Sequence, residues 1–198
     1  HGRRGLRRIL MGSVAEEVLR GARIPVLVVG PQAVTAARAF VPSVAPKILL
    51  ATDLGPTSKK ALKFAVSLAQ RLNASLILSH CVFDGLHPLL QVALTSPSGV
   101  ISTGSQLTEM LETMTRDATV QLKAIQRQII KQGISCGLRI DERMVTAAPS
   151  ITREARASRA QFIVMGTHGR GLLAAPFLGA TARSVILEAT CPTIVLRA

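Results

Sequence analysis

Apolar residues in this chain fall into short runs separated by stretches of helical period, and from residue 47 onward the two alternate. The run KILLAT (47–52) is almost continuously apolar and ends at Asp53, the pattern of a strand buried on both faces of a parallel sheet. Leu62, Ala65, Val66 and Ala69 then recur at intervals of three and four, which predicts a helix from Thr57 or Ser58 to Arg71 with a hydroxyl residue at its start. SLILSHCV (75–82) predicts the next buried strand. Residues 83–105 mix Pro, Gly, Ser and Thr and predict a long loop with a short helix near 89–94, followed by a long helix over 106–132 that Gly133 stops. Residues 138–145 alternate polar and apolar like an edge strand. A short helix (150–158), a buried run (162–165), a last helix (181–189) and a closing strand (193–196) complete the series. The order βαβαβαβαβ implies an α/β fold, a three-layer sandwich around a five-stranded, mostly parallel sheet that receives ligands at the carboxyl ends of its strands. Asp53, Val82 and Met165-Gly166 stand at those ends.

The chain also resembles itself. Laid on residues 168–197 at an offset of 167, residues 1–30 match at ten of thirty positions, among them His1-Gly2-Arg3, Gly12, Ala15, Val18, Ala22, Pro25 and Val28. Identities at 12, 15, 18 and 22 follow helical spacing, and Pro25 opens an apolar run as Pro192 does, so the shared unit is loop, helix, strand. Three domains of sequence follow: 1–30 as the last quarter of a truncated first copy, 31–46 as a linker holding Pro31, Pro42 and Pro46, and 47–198 as a complete second copy. The strands 24–29 and 193–196 present edges that need covering. Val26, Val28, Ile194 and Val195 are therefore the expected pairing residues of a homodimer or of an intrachain pseudo-dimer.

The formal charge of +13 raises the question of a polyanion partner. The charge is spread along the chain, net +5 over 1–40 and +8 over 41–198, and with no Trp, no Tyr and five Phe there is no set of stacking platforms. No nucleic-acid or membrane partner is expected. Cys81, Cys136 and Cys191 lack CxxC or metal-ligand spacing and read as buried thiols in a reducing compartment, with a cytoplasmic location and no metal site.

Candidate chemistry concentrates in residues 165–181, MGTHGRGLLAAPFLGAT, which leave a buried strand and enter a helix. Glycines let the backbone approach an anion, and N–H groups at the helix start favour negative charge. The stretch is neither a Walker A loop nor GxGxxG. Residue by residue, Gly166, Gly169 and Gly179 follow the spacing Gly-x2-Gly-x9-Gly that resembles the nucleotide-binding motif of the universal stress protein family, with Ala180 in place of the usual Ser/Thr and Thr181 one position later. ILLATDLGPTSKKAL, IVMGTHGRG and CPTIVLR resemble the same family's opening strand and helix, its strand and loop, and its closing strand. Gly2, Gly12 and Ser13 repeat part of the motif in the first copy.

The resemblance implies an adenine-nucleotide site. Thr52 and Asp53 would border the adenosine, with Asp53 near the ribose or a metal-bound phosphate, and Val82 would meet adenine. Met165, Gly166, His168 and Gly169 would line ribose and phosphates, and Gly179, Ala180 and Thr181 would offer backbone N–H groups to the outer phosphates. The implied ligand is ATP, or AMP or ADP, with Mg²⁺. Plainer readings stand beside these: Asp53 as a turn or helix cap, Met165 as core, His168 as loop structure, Arg170 as a solvated charge. Nothing in the sequence positions an attacking water, and neither HxGH nor SGGxDS occurs, so no catalytic residues are assigned and at most slow ATP hydrolysis is expected. The two functions left are a nucleotide-binding stress or regulatory module that assembles through its final strands, and a nucleotide-independent interaction scaffold, for which Ala180 and Pro176 speak.

Overall fold

The computed structural model describes residues 12–37, 45–55, 58–84, 104–143, 145–167 and 178–197. Its strands are β1 (Val26–Val28), β2 (Lys47–Ala51), β3 (Ser75–Cys81), β4 (Cys136–Asp141), β5 (Phe162–Gly166) and β6 (Thr193–Leu196). Its helices are α1 (Ser13–Gly21), α2 (Pro31–Ala37), α3 (Ser58–Leu72), α4 (Gly104–Lys131), α5 (Ala147–Ser158) and α6 (Ala180–Glu188). One sheet runs in the order β1-β6-β5-β2-β3-β4. All pairings are parallel except β1 with β6.

The five strands expected from 47–198 are present, and the sheet has a sixth because β1 adds antiparallel to β6. Two apolar layers flank it. On one face Ile48, Leu50, Leu76, Leu78 and Val164 pack against α3 and α4; on the other Leu49, Ile77, Ile163 and Val195 pack against α5, α6 and α1. Burial on both faces is why these strands read as continuous apolar runs. Ala61, Ala65 and Ala69 give α3 a smooth stripe, 0–1 % exposed, that lets the helix lie close on the sheet. Gly133, at φ +80°, lets the chain leave α4 in a left-handed conformation.

Two of the differences from expectation have plain physical reasons, while α5 begins at Ala147 and not at the expected 150. Residues 31–37, read as linker, form α2, where Pro31 stands at the first helical position and costs no hydrogen bond. Gly30 precedes it against α6, where any Cβ would overlap the Ile186 carbonyl. The edge strand expected at 138–145 runs from Cys136 to Asp141, since Asp141 engages side chains that end the ladder. The predicted short helix near 89–94 lies outside the described residues, as do His168, Gly169, Arg170 and Pro176.

Candidate functional site

β2 leaves the sheet through a tight turn. The Thr52 N–H donates to the Ser79 carbonyl at 3.0 Å, and the Thr52 hydroxyl accepts the Leu54 N–H at 3.1 Å. Asp53 Oδ1 accepts the Gly55 N–H at 2.9 Å and the Ser58 hydroxyl, while the Asp53 N–H donates to Ser58 Oγ at 3.3 Å. Leu54 is left-handed at φ 63°, an uncommon state for a branched apolar residue that the flanking side-chain bonds hold in place. Gly55 is buried beneath the carboxylate, and a Cβ there would stand 3.0 Å from Asp53 Oδ2. Asp53 thus does what an Asx turn requires at the start of α3. Ser58, which the sequence offers only as a cap, connects that helix to the carboxylate.

The neighbouring strand ends are equally well fixed. His80 is buried, and its Nδ1 lies 2.8 Å from the Thr52 carbonyl; a carbonyl only accepts, so Nδ1 carries the proton. The Val82 N–H donates to the Asp141 carbonyl at 3.0 Å and its side chain is buried. Asp141 gathers Ser150 Oγ (2.5 Å), Arg153 (2.6 Å) and Arg143 (2.8 and 3.0 Å), joining the end of β4 to α5. Burial pushes its carboxyl up, but the hydrogen bonds from Arg143 and Ser150, with the Arg143 charge, outweigh this and hold it below the ordinary value. Asp84 Oδ1 accepts the Ala147 N–H at 2.9 Å and so closes the N-terminus of α5 from 63 residues away. Neither aspartate is visible as a site residue in sequence, because nothing local marks a partner that distant. The three cysteines are buried and free, and burial pushes each thiol up to about 11. They are correspondingly inert.

β5 pairs with β2 in register Leu50↔Val164, which, continued two residues, sets Thr52 level with Gly166. The strand order reverses between these two strands: β2, β3 and β4 progress one way, β5 and β6 the other. Met165 is buried and Gly166 half-buried at this switch. Beyond it the Thr167 N–H donates to the Leu196 carbonyl at 2.9 Å, and the Gly179 N–H donates to the Thr167 carbonyl at 2.9 Å. The last bond ties the end of β5 to the start of α6. Gly179 is the N-cap of α6 at extended backbone angles, no side chain among the described residues caps the helix, and Ala180 and Thr181 form its first turn. The structure therefore brings Thr52, Asp53, Met165, Gly166, Gly179, Ala180 and Thr181 to the carboxyl end of the sheet. Val82 sits at the end of β3, the neighbour of β2 on its other side.

A pocket of about 460 Å³ lies at the opposite, amino end of β2, β3 and β4, between Lys47, Ser75, Gly137, Arg139 and Arg159. It includes none of the sequence-predicted site residues.

The profile of the universal stress protein family matches residues 1–30 and 45–197. The chain belongs to the universal stress protein family. Universal stress protein MJ0531 of Methanocaldococcus jannaschii is 28% identical over 155 residues, covering 76% of this chain and 81% of that protein. A universal stress protein of Mycolicibacterium smegmatis is 28% identical over 199 residues, 99% of this chain but only 60% of its own length. Among solved structures, protein MJ0577 superposes with a TM-score of 0.62 at 21% identity, over 79% of this chain and 98% of its own, a likeness of fold. None of the helices among the described residues is long and apolar enough to cross a membrane.

Proposed function

We propose that residues 45–197 form an adenine-nucleotide-binding regulatory module whose site is the cleft between the ends of β2 and β5. The observation that carries this reading is the position of Thr52-Asp53 and Met165-Gly166 at the reversal of strand order. In open α/β sheets that point forms a crevice at the carboxyl edge and receives nucleotides. Gly179 stands at the start of α6 with its own N–H given to the Thr167 carbonyl, and the next N–H groups of the first turn have no intrahelical acceptor and favour an anion there. The resemblance of Gly166, Gly169 and Gly179 to the family's nucleotide motif gives the ligand its class, ATP, ADP or AMP with Mg²⁺.

The residues divide the work unevenly. The Val82 N–H already serves the Asp141 carbonyl, so Val82 offers adenine its apolar side chain or its carbonyl and not a donor. Ala180 brings only its backbone N–H, one hydroxyl fewer than the family motif, a loss of about 1 kcal/mol or somewhat more against a charged phosphate. His168 and Gly169 complete the set in the loop. The module would report occupancy through shape or assembly.

One observation favours the second reading, a nucleotide-independent scaffold: Asp53 Oδ1 is engaged by the Gly55 N–H and the Ser58 hydroxyl. Calorimetric titration with ATP and Mg²⁺ separates the two. Asp53→Asn keeps an acceptor for the Gly55 N–H while removing the charge, and its melting temperature reports whether the turn survives. One site per chain, weakened at least about tenfold in Asp53→Asn with an unchanged melt, supports the module. Absence of heat and of thermal shift at millimolar ATP supports the scaffold.

A further inference from the structure

The pocket at the amino end of the sheet lies away from the proposed nucleotide cleft and is lined by a different kind of residue. Lys47 opens β2, Arg139 stands on β4 and Arg159 follows α5, and these cations surround a space of about 460 Å³. No carboxylate is among the described residues that line it. Arg139 is already paired with Glu154 at 3.1 Å. Among the described residues the Lys47 ammonium and the Arg159 guanidinium form no ion pair or hydrogen bond, and neither do the hydroxyls of Ser75 and Ser135.

The backbone around this space is fixed. The Lys47 N–H donates to Gln161 Oε1 at 2.5 Å and the Gln161 N–H donates to the Lys47 carbonyl at 2.8 Å, which ties the start of β2 to the segment after Arg159. The Ser75 N–H donates to the Pro46 carbonyl at 2.9 Å and the Leu76 N–H to the Ser135 carbonyl at 2.8 Å. Gly137 forms part of the lining, where a Cβ would meet nothing nearer than the Leu76 carbonyl oxygen at 4.0 Å. Arg159 is left-handed at φ 56°, the C-cap of α5, and its N–H donates to the Ala155 and Arg156 carbonyls. A helix end ordinarily gives that conformation to glycine or asparagine, so a long cationic side chain there carries a backbone cost. Strain kept at a concave, charged position points to function more than to stability.

We infer that this pocket is a binding site for a small polyanion, a molecule carrying two or more phosphate or carboxylate groups. Lys47 and Arg159 supply uncompensated positive charge. Arg139 keeps Nη2 for the ligand, since its Nε serves Glu154 and its Nη1 the Leu138 carbonyl, and Ser75 and Ser135 add hydroxyl donors. The volume suits a molecule of metabolite size and exceeds what a single ion fills. The pocket stands at the opposite end of β2 from Thr52-Asp53, so the inference is independent of the nucleotide reading and its occupation leaves the cleft accessible. A plainer assignment gives Arg159 to the C-terminal dipole of α5, where a cation stabilises the helix. The two differ in what removal of the charge does.

Backbone amide NMR shifts of the 198-residue chain, followed during titration with pyrophosphate and separately with citrate at about 0.15 M salt, test the site. Saturable shifts are expected at Ser75, Ser135, Gly137 and Ser158, with a dissociation constant of about 1 mM or tighter for at least one probe. Arg159→Gly supplies the residue that the left-handed backbone prefers. It should weaken binding at least about tenfold while the melting temperature stays level or rises. Lys47→Gln should weaken binding in the same direction. Gly137→Val fills the space with all the cations in place and should abolish saturation, which separates a shaped site from a diffuse positive surface. Shifts confined to Gly166 and Gly179 would put the anion in the nucleotide cleft and overturn the inference. Unsaturated shifts spread over the molecule overturn it as well. So does an Arg159→Gly variant that loses stability and keeps full affinity, since the arginine would then serve the helix dipole alone.

Discussion

The α1–β1 and α6–β6 units have nearly the same apolar pattern and opposite surroundings. Ile194 and Leu27 face one another at the centre of the strand pair, yet Ile194 is 6 % exposed and Leu27 53 %. The difference lies in what the rest of the chain brings to each. Residues 45–197 lay β5 and its covering helices on one flank of β6, while β1 among the described residues pairs with β6 alone and α2 follows it onto α6. Local sequence therefore specifies a helix, a turn and a strand with two apolar sides, and neighbours decide how many of those sides are used. The lesson extends to the functional site: the first unit repeats Gly12 at the start of its helix, but has no equivalent of Thr52-Asp53 or of β5 beside it among the described residues. Among the described residues the reversal of strand order lies beside the second unit, not the first.

The largest contrast is expected from truncating the central pair. Ile194→Ala opens a cavity between β5, α3 and β1 and should cost about 2–5 kcal/mol, whereas Leu27→Ala, already half in water, should cost about 1 kcal/mol or less. Urea unfolding of the two variants measures both, and equal losses would mean that the two flanks are equally covered in solution. Gly30→Ala sharpens the comparison from the side of the first unit. The added methyl would overlap the Ile186 carbonyl, so α2 must shift away from α6 at a cost of about 1–3 kcal/mol. The loss should appear as faster hydrogen exchange in β1 while β2 and β3 keep their protection.

Most of the architecture was legible because buried parallel strands advertise themselves. KILLA, FIVMG and TIVL are read correctly to within one residue, and α3 is legible from Leu62, Ala65, Val66 and Ala69, of which the two alanines are buried and the larger pair half-buried. Residues 31–37 escaped because the prolines around them suggested a linker, although Pro31 stands where a helix tolerates it. Within the candidate site, the strand-end residues could be named in advance since a parallel sheet puts its loops at one edge. The contacts that fix them could not: Ser58 with Asp53 depends on how α3 enters, and Asp84 with Ala147 spans 63 positions. Hydrogen bonds between side chains and distant backbone leave no periodic trace in a sequence.

Acid should act first on the second unit's side of the molecule, through Asp141. Its carboxyl is held below the ordinary value in the fold, so the ionised form stabilises above the unfolded-state range near pH 4, and the contribution is lost as pH falls through the lower folded value. Asp141→Ala should cost about 1.5–3 kcal/mol at neutral pH, since it removes charged hydrogen bonds to Ser150, Arg153 and Arg143. The gap between variant and parent should narrow once the pH drops below about 4. A gap independent of pH would assign the effect to packing alone.

The smallest effect tests the symmetry itself. Glu16 and Arg183 are equivalent positions of the repeat, and they meet across the local two-fold as an ion pair at 2.9 Å. Were the two units identical in sequence, like charges would meet there. The opposite signs favour α1 against α6 over α6 against a second α6, which makes the pair a discriminator between intrachain pairing and homodimerisation through β6. Both side chains are partly exposed, so the pair should contribute no more than about 1 kcal/mol. Glu16→Arg should lower stability by about that much, more at low salt than at high, and Arg183→Glu should do likewise. The double exchange should restore most of the loss, because it reverses the pair and keeps the attraction. Two single losses that simply add in the double variant would show that the charges do not interact, and the two-fold pairing would then rest on the apolar strand residues alone.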